Sequence, residues 1–162
     1  MTKNMPQNSK IRTCLWFPGN GQEAAEFYVS LIPGSKITSA YKSDPDQPPI
    51  VIEFTLGNNE FMIINGGNEF EHSPAVSISV STNDQKETDM LWSALTANGG
   101  KESRCGWLID RYGISWQIVP RRLIELLNDK DLEAAGRVFN KMLEMNRIDT
   151  AAIEEAFRSQ KP

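Results

Sequence analysis

An apolar stripe with helical spacing occurs twice in this chain, sixty-four positions apart, and no other feature restricts the fold as much. Ala24, Phe27, Tyr28, Leu31 and Ile32 fall at i, i+3, i+4, i+7 and i+8, one face of a helix that Pro33-Gly34 ends. Thr88, Leu91, Trp92 and Leu95 repeat its first four positions in a second helix, closed by Gly99-Gly100. Around each helix the period changes from 3.6 to 2. Ile11 to Phe17 is a β-favouring run broken by Pro18-Gly19. After the first helix come Ile37 to Lys42, the alternating Ile50, Ile52, Phe54 and Leu56, a turn at Gly57-Asn58-Asn59, and a return strand from Phe61 to Ile64. The second half repeats the order. Val76 to Val80 is a strand, Thr82 with Gln85 makes a capping-box pattern, and β segments at Gly106 to Asp110 and Ile114 to Val119 flank Arg111-Tyr112-Gly113. The same shift lays Thr13 over Ser77. Duplication of a strand-helix-strand-strand-strand module accounts for this; chance agreement of two amphipathic helices is the competing account, because residue identity between the halves is poor.

At 162 residues the chain is one domain, or one domain of two similar halves, spanning 11–119 as modules 11–70 and 75–119. Residues 1–10 read as a flexible polar tail and 120–162 as a helical extension. In the extension Leu123, Leu126 and Leu127 suit a short helix, and Ala135, Val138, Phe139, Met142 and Leu143 a longer one. Asp149 is the expected N-cap of a third, with Ile148 and Ile153 as a hydrophobic staple. So amphipathic a segment must dock, on its own domain or on a second subunit.

Hydrophobic residues at 40 % and charged residues at 23 % exclude disorder, and a net charge of −4 without a basic run excludes nucleic acid as a partner. No apolar stretch approaches the roughly 18 residues that span a bilayer, and the polar start lacks a secretion signal's apolar core, so no membrane partner and a cytoplasmic location are expected. Cys14 and Cys105 are expected as buried thiols rather than a disulfide. With His72 the only histidine, the usual structural zinc sites are excluded.

Gly19-Asn20-Gly21-Gln22-Glu23-Ala24 matches G-x-G-x-x-A between strand and helix, but a dinucleotide fold needs crossover helices between parallel strands, and a hairpin follows instead. Tight-turn chemistry is the reading taken. Asn65-Gly66-Gly67 is either a turn needing positive φ or a close backbone approach to a ligand, with the Asn65 amide as donor and acceptor. His72, in a polar loop, is expected at the surface rather than as a catalytic base. Cys105-Gly106-Trp107 either lines a cavity or sets a small thiol beside a core indole. Alternation places Ser115, Gln117 and Val119 on one face of a strand and Ile114, Trp116 and Ile118 on the other. A glutamine there needs a hydrogen-bond partner, which a concave polar pocket would supply.

Cys14-Leu15-Trp16-Phe17, Glu23-Ala24-Ala25-Glu26-Phe27-Tyr28, Asn65-Gly66-Gly67, Asp89-Met90-Leu91-Trp92, Cys105-Gly106-Trp107 and the run from Asp110 to Pro120 together resemble the vicinal oxygen chelate superfamily, which includes the glyoxalases. Within it the chain is most similar to the PhnB-like family, often labelled demethylubiquinone methyltransferase domains; Arg147-Ile148-Asp149 is similar to this family too. The resemblance implies an α+β fold, two β-α-β-β-β modules forming a curled mixed sheet around a cleft, with the helical tail added. In the superfamily's metal enzymes, ligands sit on the first and last strands of each module. Carried over, those positions fall on Thr13, Ser77, Gln117 and Asn65, with Ile63 and Ile64 as alternatives to Asn65. These offer no carboxylate or imidazole, so no metal and no cofactor are expected.

The leading expectation is therefore a small-molecule-binding protein with a metal-free pocket lined by Thr13, Asn65, Ser77, Trp107 and Gln117. The rival is a lyase, isomerase or dioxygenase-like enzyme, for which Glu53, Asp110 and His72 are the candidate proton acceptors. A methyltransferase is implied by the family label alone. The family's habit of pairing or exchanging modules implies a homodimer.

Overall fold

A computed structural model describes residues 10–159. The expected flexible tail lies, except for Lys10, outside the described residues. The chain divides between Glu71 and His72 into two units.

In the first unit, strand β1 (Thr13–Phe17) leads into helix α1 (Gly21–Leu31), followed by β2 (Lys36–Tyr41), β3 (Val51–Leu56) and β4 (Asn59–Asn65). The strand order is β1-β4-β3-β2, with β1 parallel to β4 and the other pairs antiparallel. Alternation decides the faces. Leu15, Phe17, Ile52, Phe54, Leu56, Phe61 and Ile63 are buried on one side, together with Ala24, Ala25 and Tyr28 of α1. Each large side chain buried this way contributes about 1.5–3 kcal/mol. Phe54 and Phe61, partners across the β3–β4 hairpin, stack at 5.4 Å.

The second unit repeats this plan with β5 (Ile78–Thr82), α2 (Gln85–Thr96), β6 (Lys101–Glu102), β7 (Trp107–Ile109) and β8 (Ser115–Pro120), in the order β5-β8-β7-β6 and again with one parallel pair. Leu108, Trp116 and Ile118 are buried with Leu91, Trp92 and Leu95 of α2. Strand β6 was not anticipated; two residues are too few to show a period. The capping pattern is also displaced. Asp84, not Thr82, caps α2, its side chain accepting from the Glu87 backbone N–H at 2.8 Å, while Glu87 reaches back to the Asn83 N–H at 2.7 Å. Thr82 belongs to β5 and is buried, its hydroxyl 2.7 Å from that of Thr88.

The extension forms α3 (Arg121–Leu127), α4 (Leu132–Leu143) and α5 (Thr150–Arg158). It docks on its own second unit. Leu123, Leu126, Val138, Ile148 and Ile153 make a small core against which Val119 of β8 packs. Asp149 caps α5 by accepting from the Ala152 N–H at 3.0 Å, and the staple residues Ile148 and Ile153 are both fully buried. Phe139 and Leu143, expected on the inner face of α4, stay half exposed, and Ala134 is buried there instead. No described helix is long and apolar enough to cross a membrane. Both cysteines are free thiols as expected, but they are not buried: Cys14 is exposed and Cys105 only partly covered.

Candidate functional site

The chemistry of each sheet lies on the face opposite its helix, and register decides which residues reach it. Across the second sheet, Ser79 of β5, Gln117 of β8 and Trp107 of β7 stand side by side. Ser77, two residues before Ser79, shares their side, and the Gln117 Nε2 donates to its Oγ at 2.8 Å. Three of the residues singled out from sequence, Ser77, Trp107 and Gln117, thus come together. Ser79 joins them; the i, i+2 relation to Ser77 was the signal that would have found it.

Thr13 and Asn65 belong to the first unit, on the helix side of its own sheet. Thr13 pairs with Phe61, on the side of the first sheet where Leu15 and Phe17 are buried beneath α1. Asn65 shares that side and is committed to the backbone. Its Oδ1 accepts from the Gly21 N–H at 2.9 Å, and its Nδ2 donates to the Pro49 carbonyl at 2.8 Å. The shift of sixty-four residues holds for the helices, since Gly21 becomes Gln85, but β1 and β5 end sixty-five apart, at Phe17 and Thr82. The strand-to-helix link is one residue shorter in the second unit, and a one-residue offset carries a side chain to the other face. The residues of the first unit in register with Ser77, Ser79, Gln117 and Trp107 are Arg12, Cys14, Met62 and Glu53.

That equivalent constellation is charged. Arg12 Nη1 donates to Glu53 Oε1 in an ion pair, and Ser39 Oγ donates to Glu53 Oε2 at 2.8 Å. The Ser39 hydrogen bond, with Arg12 assisting against partial burial, holds the Glu53 carboxyl below the usual glutamate range. Partial desolvation beneath its exposed edge pushes the Cys14 thiol up, against the lowering effect of Arg12 beside it. On the same side, the Trp16 indole donates to the Gly67 carbonyl at 2.8 Å and meets Phe70 edge-on at 5.1 Å. A Cβ on Gly66 would come within 2.1 Å of that indole. The close backbone approach considered for Asn65-Gly66-Gly67 is therefore made by the protein's own tryptophan.

The G-x-G-x-x-A segment is explained in the same terms. A Cβ on Gly21 would lie 2.3 Å from Ile63 Cγ2 and 2.6 Å from Asn65 Oδ1, so glycine lets the start of α1 press against β4, and Asn65 takes the N–H there. Of the proton acceptors considered, Asp110 is buried and organises the turn into β8. Its Oδ1 accepts from Tyr112 N at 2.8 Å and Ile114 N at 3.0 Å, and its Oδ2 from the Trp116 indole at 2.9 Å. His72 lies in the segment between β4 and β5 and is partly exposed.

A separate groove of about 620 Å³ in the second unit is lined by Trp92, Ser93, Thr96, Ala97, Glu102, Arg147 and Asp149. Its charged groups are already engaged. Glu102 accepts from the Trp92 indole at 2.8 Å, Arg147 pairs with Asp89 at 3.0 Å, and Asp149 caps α5. Among the described residues no group of three or more His, Cys, Asp or Glu side chains is placed to hold a metal ion. The donors around Gln117 are neutral oxygens and an amide, and they do not fit a hard divalent cation.

A family model described as 3-demethylubiquinone-9 3-methyltransferase matches residues 9–119. A solved structure from Bacillus cereus, a putative 3-demethylubiquinone-9 3-methyltransferase and PhnB protein, is 33 % identical, with a TM-score of 0.64 over 68 % of this chain and 98 % of its own. Protein PA1353 from Pseudomonas aeruginosa is 21 % identical, with a TM-score of 0.56 over 68 % of this chain and 96 % of its own, a likeness of fold. No curated protein matches the chain.

Proposed function

The chain belongs to the PhnB-like family described as 3-demethylubiquinone-9 3-methyltransferase, and from that premise we propose that it binds a small uncharged aromatic molecule, without a metal ion, on the second sheet's face around Trp107 and Gln117. The observation that carries this reading is the Gln117–Ser77 hydrogen bond beside the Trp107 indole. It spends one N–H of the amide and leaves Gln117 Oε1 to accept and the Ser77 hydroxyl to donate. An aromatic wall with one donor and one acceptor suits a planar ligand carrying a hydroxyl or amide group.

The enzyme reading would need a proton acceptor near neutrality. Glu53 is held ionised by Ser39 and Arg12, and Asp110 is engaged by the Tyr112, Ile114 and Trp116 N–H groups, so neither favours it. Methyl transfer, which the family's description suggests, would need a methyl-donor site, and the N–H of Gly21 in the glycine motif at the start of α1 is taken by Asn65. Pairing with a second copy belongs to the same proposal. Its support is the exposure of Leu132, Phe139 and Leu143 on α4, with open space beside Gly136; light scattering at micromolar concentration should give twice the mass of one chain.

The test is titration of tryptophan fluorescence with benzamide, phenol and 1-naphthol, before and after dialysis against chelator. Saturable quenching that chelator leaves unchanged and that Gln117→Leu weakens by about tenfold, the loss of one good hydrogen bond, is expected. Loss of binding on chelation would refute the metal-free reading. Calorimetric binding of S-adenosylmethionine at micromolar concentration would restore methyl transfer.

A further inference from the structure

The family match ends at residue 119, and the Bacillus cereus relative is covered almost to its full length by 68 % of this chain, so α3 to α5 stand beyond what the match explains. Their placement suggests a task. The link between α4 and α5 reaches the turn that enters β7, where the Cys105 N–H donates to the Met145 carbonyl and the Gly106 N–H to the Asn146 carbonyl, both at 2.7 Å. These two residues are consecutive and both left-handed, with φ of +59° for Cys105 and +82° for Gly106. For Cys105, which carries a Cβ, this is a strained conformation that persists only where the surroundings enforce it. A Cβ on Gly106 would lie 2.7 Å from the Ile118 carbonyl and 3.4 Å from Ile148. The next residue is Trp107, whose N–H closes the turn onto the Arg104 carbonyl at 3.1 Å.

The link is itself held from α2, chiefly by Gln85. Gln85 Oε1 accepts from the Thr150 N–H at 2.8 Å while its Nε2 donates to the Ile148 carbonyl at 3.1 Å. Asn146 and Arg147 add contacts to Glu102 and Asp89. We infer that the C-terminal extension is a brace that sets the Trp107 indole on the binding face, with Gln85 as the positioning residue that fixes the brace. That Trp107 touches a ligand rests on the function proposed above; that the brace orients Trp107 does not.

Acrylamide quenching of the full-length protein reads the orientation without any ligand, the Trp107 component being the difference between wild type and Trp107→Phe. Gln85→Leu should raise the quenching constant of that component about twofold and leave the Trp107→Phe protein unchanged. Gln85→Glu keeps the acceptor for Thr150 but loses the donor to Ile148 and to Asp89 Oδ1, and sets a carboxylate against both, so it should raise the constant as well; it is also the variant to read if Gln85→Leu does not fold. An unchanged Trp107 component in Gln85→Glu, or an equal rise with and without Trp107, overturns the brace. Benzamide titration separates the two readings. If quenching responds as stated but benzamide, phenol and 1-naphthol do not bind the wild type, the brace stands and the ligand proposal falls.

Discussion

The two modules share a strand order and a parity of buried faces, yet the same four register positions carry an ion pair in one and a neutral hydrogen bond in the other. Arg12 and Glu53, with Cys14 and Met62 between them, occupy in the first sheet the places of Ser77, Trp107, Ser79 and Gln117 in the second. A duplicated scaffold thus fixes where side chains stand and leaves their chemistry free. The helix starts diverge in the same way. In α1 the first N–H is satisfied from β4 by Asn65, forty-four residues away, whereas α2 is capped locally by Asp84.

The hairpins give the largest expected contrast. The first closes Leu56 against Asn59 with two residues and Gly57 at a φ of +55°. The second runs from Ile109 to Ser115 around the buried Asp110 carboxylate and the N–H groups of Tyr112, Ile114 and Trp116. Asp110→Ala leaves three donors in need of partners and should lower stability by about 3 kcal/mol or more in urea unfolding, against less than about 0.5 kcal/mol for Asn58→Ala at the exposed tip of the first hairpin. Equal effects would mean that the two turns are not supported differently.

The helix starts come next. Gly21→Ala must push Ile63 or Asn65 aside and should cost about 2 kcal/mol, as overpacking does. Asp84→Ala removes a local cap and should cost about 1 kcal/mol. If the order were reversed, the contact of α1 with β4 would be looser than the distances imply.

Most of the architecture was legible because it is carried by periods. The stripes around Tyr28 and Trp92 and the alternation from Ile50 to Leu56 each specify an element and its buried face. The one-residue difference in the links after β1 and β5 was not legible. A single shift chosen to match the longer helices hides it, and its consequence is to turn Thr13 towards the helix side while Ser77 stays opposite. The cap of α2 was ambiguous for a related reason. Thr82-Asn83-Asp84-Gln85-Lys86-Glu87 contains two overlapping capping patterns, and only the burial of Thr82 in β5 selects the second. At the site, the face of Gln117 followed from alternation, but its partner Ser77 depends on parallel pairing forty residues away in sequence, which no local pattern encodes.

The smallest effect separates the modules by pH. Glu53 has its pKa lowered by Ser39 and Arg12, so the folded state favours its charged form more than the unfolded state does. Its contribution is present above the ordinary glutamate range and is lost as pH falls through the lower, folded value. Both partners are partly exposed, so the contribution should be below about 1 kcal/mol and weaker still in salt. The stability difference between wild type and Glu53→Gln, measured by urea unfolding, should therefore hold steady from neutral pH into the ordinary glutamate range and shrink below it. The corresponding difference for Gln117→Leu should stay flat throughout, because the Gln117–Ser77 pair contains nothing that titrates. A difference for Glu53→Gln that grows towards acid would reverse the assigned direction of the Glu53 shift and, with it, the charged character that sets the first sheet apart from the second.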